Sequence, residues 1–247
     1  MLVLKDLSLN YGKKKILKSV NLHLKALSSL TVLGANGSGK SSLAKAISGL
    51  IPFQGAVTIN QEDTSKLSTA QRAKLCAYIP AKLESFDLQM SVREFVILGR
   101  FAHKARWSNY RPSDYEKVDA TLEELELFEL KEQALATLSS GEQQLVMIAQ
   151  ALVQETPLII FDEPTAHLDP KNVVHFVRLF NQLKKNYTLV LITHDIHLAQ
   201  ALDQPILFIQ DQKAELYEKG FFKEETLLKH YGVTFKHDST HLGLHFD

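Results

Sequence analysis

The chain has 247 residues, 45% of them hydrophobic and 23% charged, and its 28 Lys+Arg balance 28 Asp+Glu to a formal net charge of +0. That length suits one large domain, the composition excludes a disordered, collagenous or coiled-coil chain, and the zero balance argues against bulk attraction to nucleic acid or an anionic lipid surface. No apolar run approaches the roughly twenty residues a membrane-spanning helix needs. The opening Met1–Asp6 has no basic segment followed by a long apolar one, so no export signal is expected. The single cysteine, Cys76, points to a reducing, cytosolic setting.

The first sixty residues read mostly as strands. Val20, Leu22 and Leu24 alternate with Asn21, His23 and Lys25, and Val57 and Ile59 alternate with Thr58 and Asn60. Between them Leu30-Thr31-Val32-Leu33 is a short apolar run of the kind found in buried parallel strands. A helical pattern follows over 42–50. Residues 84–138 are rich in Glu and Leu, notably over 115–127, and read as a helical insert. Further helices are expected at 142–152, 173–183 and 224–231, and buried strands at 158–161 and 189–192. Strand–helix alternation predicts an α/β fold, a parallel sheet with helices on its faces.

Gly34-Ala35-Asn36-Gly37-Ser38-Gly39-Lys40-Ser41 fits G-x-x-x-x-G-K-[ST], with an apolar strand before it and a helix after it. Glycines let successive backbone N–H groups turn toward one anion, and the helix presents its positive end. Lys40 is the candidate for the β- and γ-phosphates, and Ser41 for Mg²⁺. Downstream, Leu158–Phe161 ends in Asp162 and Glu163. Carboxylates at the carboxyl end of a buried strand lie where open α/β sheets bind ligands. Beside a triphosphate they need a cation, which makes Asp162 a candidate Mg²⁺ ligand and Glu163 a candidate general base.

With Leu138-Ser139-Ser140-Gly141-Glu142-Gln143-Gln144, these segments make the sequence resemble the ATP-binding subunit of an ABC transporter along nearly its whole length. The resemblance implies a P-loop NTPase core with a RecA-like parallel sheet, an antiparallel β subdomain and a helical insert. It implies one ABC ATPase domain over 1–247, with the helical subdomain at 84–138. Tyr11 matches the aromatic that stacks on adenine. Gly34, Asn36, Gly37, Ser38, Gly39, Lys40, Ser41 and Ser42 match the phosphate loop, and Ser139, Gly141 and Glu142 the signature motif. Ala166-His167-Leu168-Asp169 matches the D-loop, and His194 the switch histidine at the γ-phosphate.

The implied cofactors are ATP and Mg²⁺. The implied partners are transmembrane permease subunits, a second copy of the chain with ATP sandwiched between loop and signature, and indirectly a periplasmic or surface substrate-binding protein. No nucleic acid is expected, and the implied location is the cytoplasmic side of the membrane. Ser139 with Glu142 is also a capping-box pattern, so a helix cap and a nucleotide contact are both open readings.

Two positions depart from the family. Ser140 stands where Gly is usual, and Ala81 where a Gln contacts Mg²⁺. Gly99-Arg100-Phe101-Ala102-His103, with Tyr231-Gly232-Val233 near the end, is similar to ATPases of metal-chelate importers for iron–siderophore, haem or cobalamin. The alternatives are an ABC ATPase outside transport, such as one serving iron–sulfur cluster assembly, or a nucleotide switch with weak hydrolysis. His237, His241 and His245 mimic ligand spacing but read as a solvated tail. Lys13–Lys15 reads as a solvated turn and Cys76 as a small core residue.

Overall fold

The computed structural model describes residues 1–83, 87–105 and 108–232. The histidines at 237, 241 and 245 lie outside the described residues. The chain opens with antiparallel strands β1 (Leu2–Tyr11) and β2 (Lys14–Leu24), joined through Gly12. It continues through β3 (Ser29–Gly34), α1 (Lys40–Ile47), β4 (Gln54–Ile59), β5 (Glu62–Asp63), α2 (Thr69–Arg72) and β6 (Cys76–Ile79). Helices α3 (Val92–Ile97), α4 (Pro112–Glu124) and α5 (Ser140–Val153) follow. The chain then alternates through β7 (Leu158–Asp162), α6 (Pro170–Leu183), β8 (Thr188–Ile192), α7 (Ile196–Leu202), β9 (Ile206–Gln210), β10 (Lys213–Tyr217) and α8 (Glu224–Tyr231).

Two sheets result. One is antiparallel in the order β2-β1-β4-β5; the other runs β10-β9-β3-β8-β7-β6. Within the second, β6, β7, β8, β3 and β9 are parallel, and β10 is an antiparallel edge. This is the α/β fold that strand–helix alternation predicts, with the added antiparallel sheet that the family resemblance implies. The strands of the parallel sheet are apolar throughout because both faces are covered. Val32, Leu43, Ala46, Leu158 and Ile160 pack on one side with Leu4, Leu9 and Val57 of the antiparallel sheet. Ile159, Phe161 and Leu191 pack on the other with Phe176 and Phe180 of α6. Phe161, Phe176 and Phe180 form a ring cluster with centroids 5.5–5.8 Å apart.

Helix boundaries shift from the expected ones for local reasons. Pro112 and Pro170 each open their helix at the first turn, where a missing N–H costs nothing, so α4 and α6 start three residues early.

The segment between β6 and α5 shares an apolar core with α5, through Phe95, Val118 and Leu122 against Val146 and Met147, and comes closest to it at Gly99. A Cβ on Gly99 would lie 2.2 Å from the Gln150 carbonyl oxygen. With the backbone seated there, Arg100 Nη1 donates to the Val153 carbonyl at 2.8 Å, and His103 Nε2 donates to the Gln154 carbonyl at 2.9 Å. These groups cap the last carbonyls of α5 from outside, with a cation at the helix's negative end. Arg100 also pairs with Asp114 Oδ1 at 2.9 Å and Glu155 Oε2 at 2.6 Å. The glycine–arginine–histidine element that resembles the chelate importers is therefore a clamp. It joins α3, α4 and the end of α5, after which the acidic strand β7 begins at Leu158. Cys76 is buried, and burial pushes its thiol up to about 12, so it is an inert core residue.

Candidate functional site

Three neighbouring strands converge on one corner. In the order β3-β8-β7 they deliver the glycine loop, His194 and the Asp162–Glu163 pair side by side at their carboxyl ends. Backbone bonds fix the spacing: Thr193 N–H donates to the Val32 carbonyl at 3.1 Å and Glu163 N–H to the Ile192 carbonyl at 2.9 Å.

The loop passes into α1 at Gly39, whose φ of 107 belongs to a region closed to ordinary side chains. A Cβ there would sit 2.8 Å from Ile16 Cγ2 of β2, so glycine also lets the antiparallel sheet close on the loop. No side chain caps α1 and no acid lies in its first turn. Its first amides thus face outward with the positive end of the helix dipole. Ser38 Oγ is buried without a partner, and a Cβ on Gly34 would come within 2.8 Å of it. An uncapped helix end, a buried unpaired hydroxyl and a backbone that excludes side chains together fit a phosphate chain. Gly37 and Asn36 lie at the exposed tip of the loop, and Ser42 is half-buried on the first turn of α1.

Lys40 is 5% exposed, with Nζ 2.8 Å from the Gly34 carbonyl, 3.1 Å from that of Ala35 and 3.8 Å from Glu163 Oε1. Burial lowers its ammonium below the ordinary value, and the charges of Glu163 and Asp162 oppose that shift. Ser41 Oγ donates to Asp162 Oδ1 at 2.9 Å. A hydroxyl and one carboxylate form a sparse oxygen set. It suits Mg²⁺, which draws its remaining ligands from substrate phosphates and water.

Glu163 carries a positive φ of 52, an unfavourable geometry for a residue with a side chain and one that recurs at functional sites. Its Oε2 lies 2.8 Å from His194 Nδ1. A carboxylate next to an imidazole can hold or orient a proton at the point where Lys40 marks the end of a phosphate chain.

Sequence reasoning missed Tyr78 of β6. Its hydroxyl donates to Asp162 Oδ2 at 2.7 Å, and burial together with that carboxylate raises its phenol above the ordinary value. The signal available was alternation in Cys76-Ala77-Tyr78-Ile79, which forms a strand beside β7.

The remaining expected residues form two further groups. Tyr11 is 54% exposed at the tip of the β1–β2 hairpin, the sheet that packs Ile16 against Gly39. Ser139 is the N-cap of α5, in a reciprocal capping box with Glu142. Its hydroxyl donates to Glu142 Oε2 at 2.6 Å and accepts from Glu142 N–H at 3.3 Å. Asp169 caps α6 by accepting from Asn172 N–H at 2.9 Å and from Asn172 Nδ2 at 3.1 Å. Asn172 in turn fills the space above Gly141, where a Cβ would lie 2.7 Å from its amide nitrogen. Signature and D-loop are thereby packed against each other.

The model of the ABC transporter family matches residues 17–166. A probable iron chelatin transport ATP-binding protein of Helicobacter pylori is 33% identical over 86% of this chain and 85% of its own length. An iron(3+)-hydroxamate import ATP-binding protein of Bacillus subtilis is 32% identical over 78% of this chain and 73% of its own. Among solved structures, a metal-chelate type ABC transporter in an inward-facing conformation matches with TM-score 0.83 at 26% identity, covering 94% of this chain and 89% of that one. A dimeric ATP-binding cassette in a post-hydrolysis state with ADP and phosphate matches with TM-score 0.76 at 27% identity, over 90% of this chain and 100% of that one. The chain belongs to the ABC transporter family, as one of its ATP-binding, ATP-hydrolysing subunits.

Proposed function

We propose that this subunit powers an importer for an iron chelate, a siderophore or haem, or for cobalamin. The iron-chelate names of the relatives support that cargo class over a role in iron–sulfur cluster assembly. The single observation that carries the hydrolytic part is the placement of Glu163, bonded to His194 and 3.8 Å from Lys40, on strands adjoining the glycine loop.

In this reading Gly34, Asn36, Gly37, Ser38, Gly39 and Ser42 surround the phosphates, and Lys40 neutralises the β- and γ-groups. Ser41 and Asp162 would hold Mg²⁺, which supplies charge neutralisation between phosphates when bound. Glu163 takes the proton of, or orients, the attacking water, and His194 fixes the Glu163 carboxylate and contacts the γ-phosphate. A homodimer places Ser139, Gly141, Glu142 and Asp169 of one copy against the nucleotide of the other. A phosphate oxygen can then replace Glu142 as the acceptor for the Ser139 hydroxyl.

Residues 84–138 act as an inserted subdomain. The permease would seat near Ala81, where a pocket of about 290 Å³ is lined by Ala81, Leu83, Leu88, Met147 and Leu168. Among the described residues no helix is long and apolar enough to cross a membrane; in this reading the pore is formed by the permease. A substrate-binding protein would deliver the cargo to that pore, and the assembly places this subunit on the cytoplasmic face.

The test is uptake of radiolabelled ferric chelates in a strain lacking this chain, complemented with the wild type or with Lys40→Ala. Uptake that returns with the wild type and not with Lys40→Ala supports the reading. Uptake that proceeds without either removes the cargo assignment. A separate expected result concerns Tyr11→Ala. Loss of base stacking, about 1–3 kcal/mol, should raise the ATP dissociation constant by roughly 5- to 150-fold while the triphosphate alone binds as before. Titration with fluorescent ATP and with inorganic triphosphate separates the two.

A further inference from the structure

The Asp162 carboxylate is held from both sides, and only one of the holders belongs to the phosphate loop. Ser41 Oγ reaches Oδ1 at 2.9 Å, and the Tyr78 hydroxyl reaches Oδ2 at 2.7 Å. Asp162 is 5% exposed, so its carboxylate relies on these donors in place of bulk water. With a donor on each oxygen, rotation of the carboxylate about its Cβ–Cγ bond is stopped, and Oδ1 is kept facing Ser41.

Strand pairing sets the position of the phenol. Tyr78 pairs with Ile160 in the parallel β6–β7 ladder. Asp162 lies two residues further along β7, on the same face as Ile160. The Tyr78 ring therefore runs along that face toward the strand end. It packs against the core formed with Leu158, Ile160 and Ile192. The ring is fixed by packing, and its one polar atom is committed to one carboxylate oxygen.

We propose that Tyr78 is a positioning residue for the cation site formed by Ser41 and Asp162, setting the carboxylate orientation without itself meeting nucleotide or cation. The inference rests on the reading of Asp162 as a Mg²⁺ ligand. Outer partners of ligating carboxylates typically contribute about 10- to 100-fold to metal affinity.

Tyr78→Phe deletes one oxygen from a ring that stays packed, so the fold is retained. Two titrations with fluorescent ATP test the proposal, one in EDTA and one with rising Mg²⁺, with Asp162→Asn run in parallel. The expected result is unchanged ATP affinity in EDTA and a Mg²⁺ half-saturation raised by about tenfold or more. Excess Mg²⁺ should then rescue hydrolysis. An unchanged Mg²⁺ half-saturation in Tyr78→Phe overturns the proposal when Asp162→Asn has lost its Mg²⁺ response. An equal loss of ATP affinity with and without Mg²⁺ also overturns it, since that is the mark of a merely structural ring. If Asp162→Asn keeps the wild-type Mg²⁺ response, the reading of Asp162 itself falls, and the role of Tyr78 with it.

Discussion

Glu163→Gln is expected to slow ATP hydrolysis by about 10²- to 10⁴-fold while ATP still binds. The amide preserves the volume of the carboxylate and can still meet His194, but it cannot take a proton from water. Because Glu163 Oε1 lies 3.8 Å from Lys40, the variant also removes a negative charge close to where the triphosphate ends, so nucleotide should bind as tightly or more tightly. If ATP bridges two copies, a chain that binds and does not hydrolyse should accumulate as dimer in ATP and remain monomeric in ADP. Steady-state phosphate release and size-exclusion chromatography in each nucleotide read both effects. Hydrolysis within tenfold of wild type would remove Glu163 from the role of base.

Arg100→Ala is expected to destabilise the helical segment strongly. The guanidinium is 6% exposed and serves three acceptors: Asp114, Glu155 and the Val153 carbonyl. Their losses are unequal. Glu155 has a side chain 47% exposed and keeps Lys117, so water screens much of its loss. Asp114, with a side chain 10% exposed, and the last carbonyls of α5 are left without their cation. Removing one partner from a buried pair costs about 3–5 kcal/mol. For a chain of this size that is roughly 6–20 °C in Tm. Arg100→Lys should recover only part of it, because an ammonium cannot reproduce the separate Nε and Nη1 contacts. Thermal unfolding of the three proteins decides the matter. A fall of under 2 °C in the alanine variant would mean the clamp carries little.

The nucleotide corner was legible in the sequence because its chemistry is local. The loop, the helix after it and the acids at a strand end are each read from a few consecutive residues. What could not be read depends on neighbours brought from afar. In β1 the buried positions run Leu2, Leu4, then Leu7, Leu9, because Asp6 at φ 51 breaks the register and hides the alternation. The run Ile206–Ile209 bears the same apolar signature as 158–161 and forms β9 at the sheet's far side, though nothing nearby in sequence marks it. Tyr78 acquires meaning only when β6 lies beside β7. The glycine–arginine–histidine element reads as a subgroup marker from spacing alone, and its physical role as a clamp emerges only with Val153 and Gln154 in place.

The uncapped start of α1 makes the stability of the folded chain depend on what occupies the loop. Ser139, Asp169 and Asp195 each close their helix with their own side chain, whereas α1 begins at a glycine that offers none. Glycine in place of a capping side chain typically costs a helix a few tenths of a kcal/mol. A bound phosphate takes the place of that cap, and at a hundredfold excess over its dissociation constant binding stabilises the folded chain by about 2.7 kcal/mol in all. Protease resistance and unfolding temperature of the isolated subunit are therefore expected to rise together when nucleotide fills the loop.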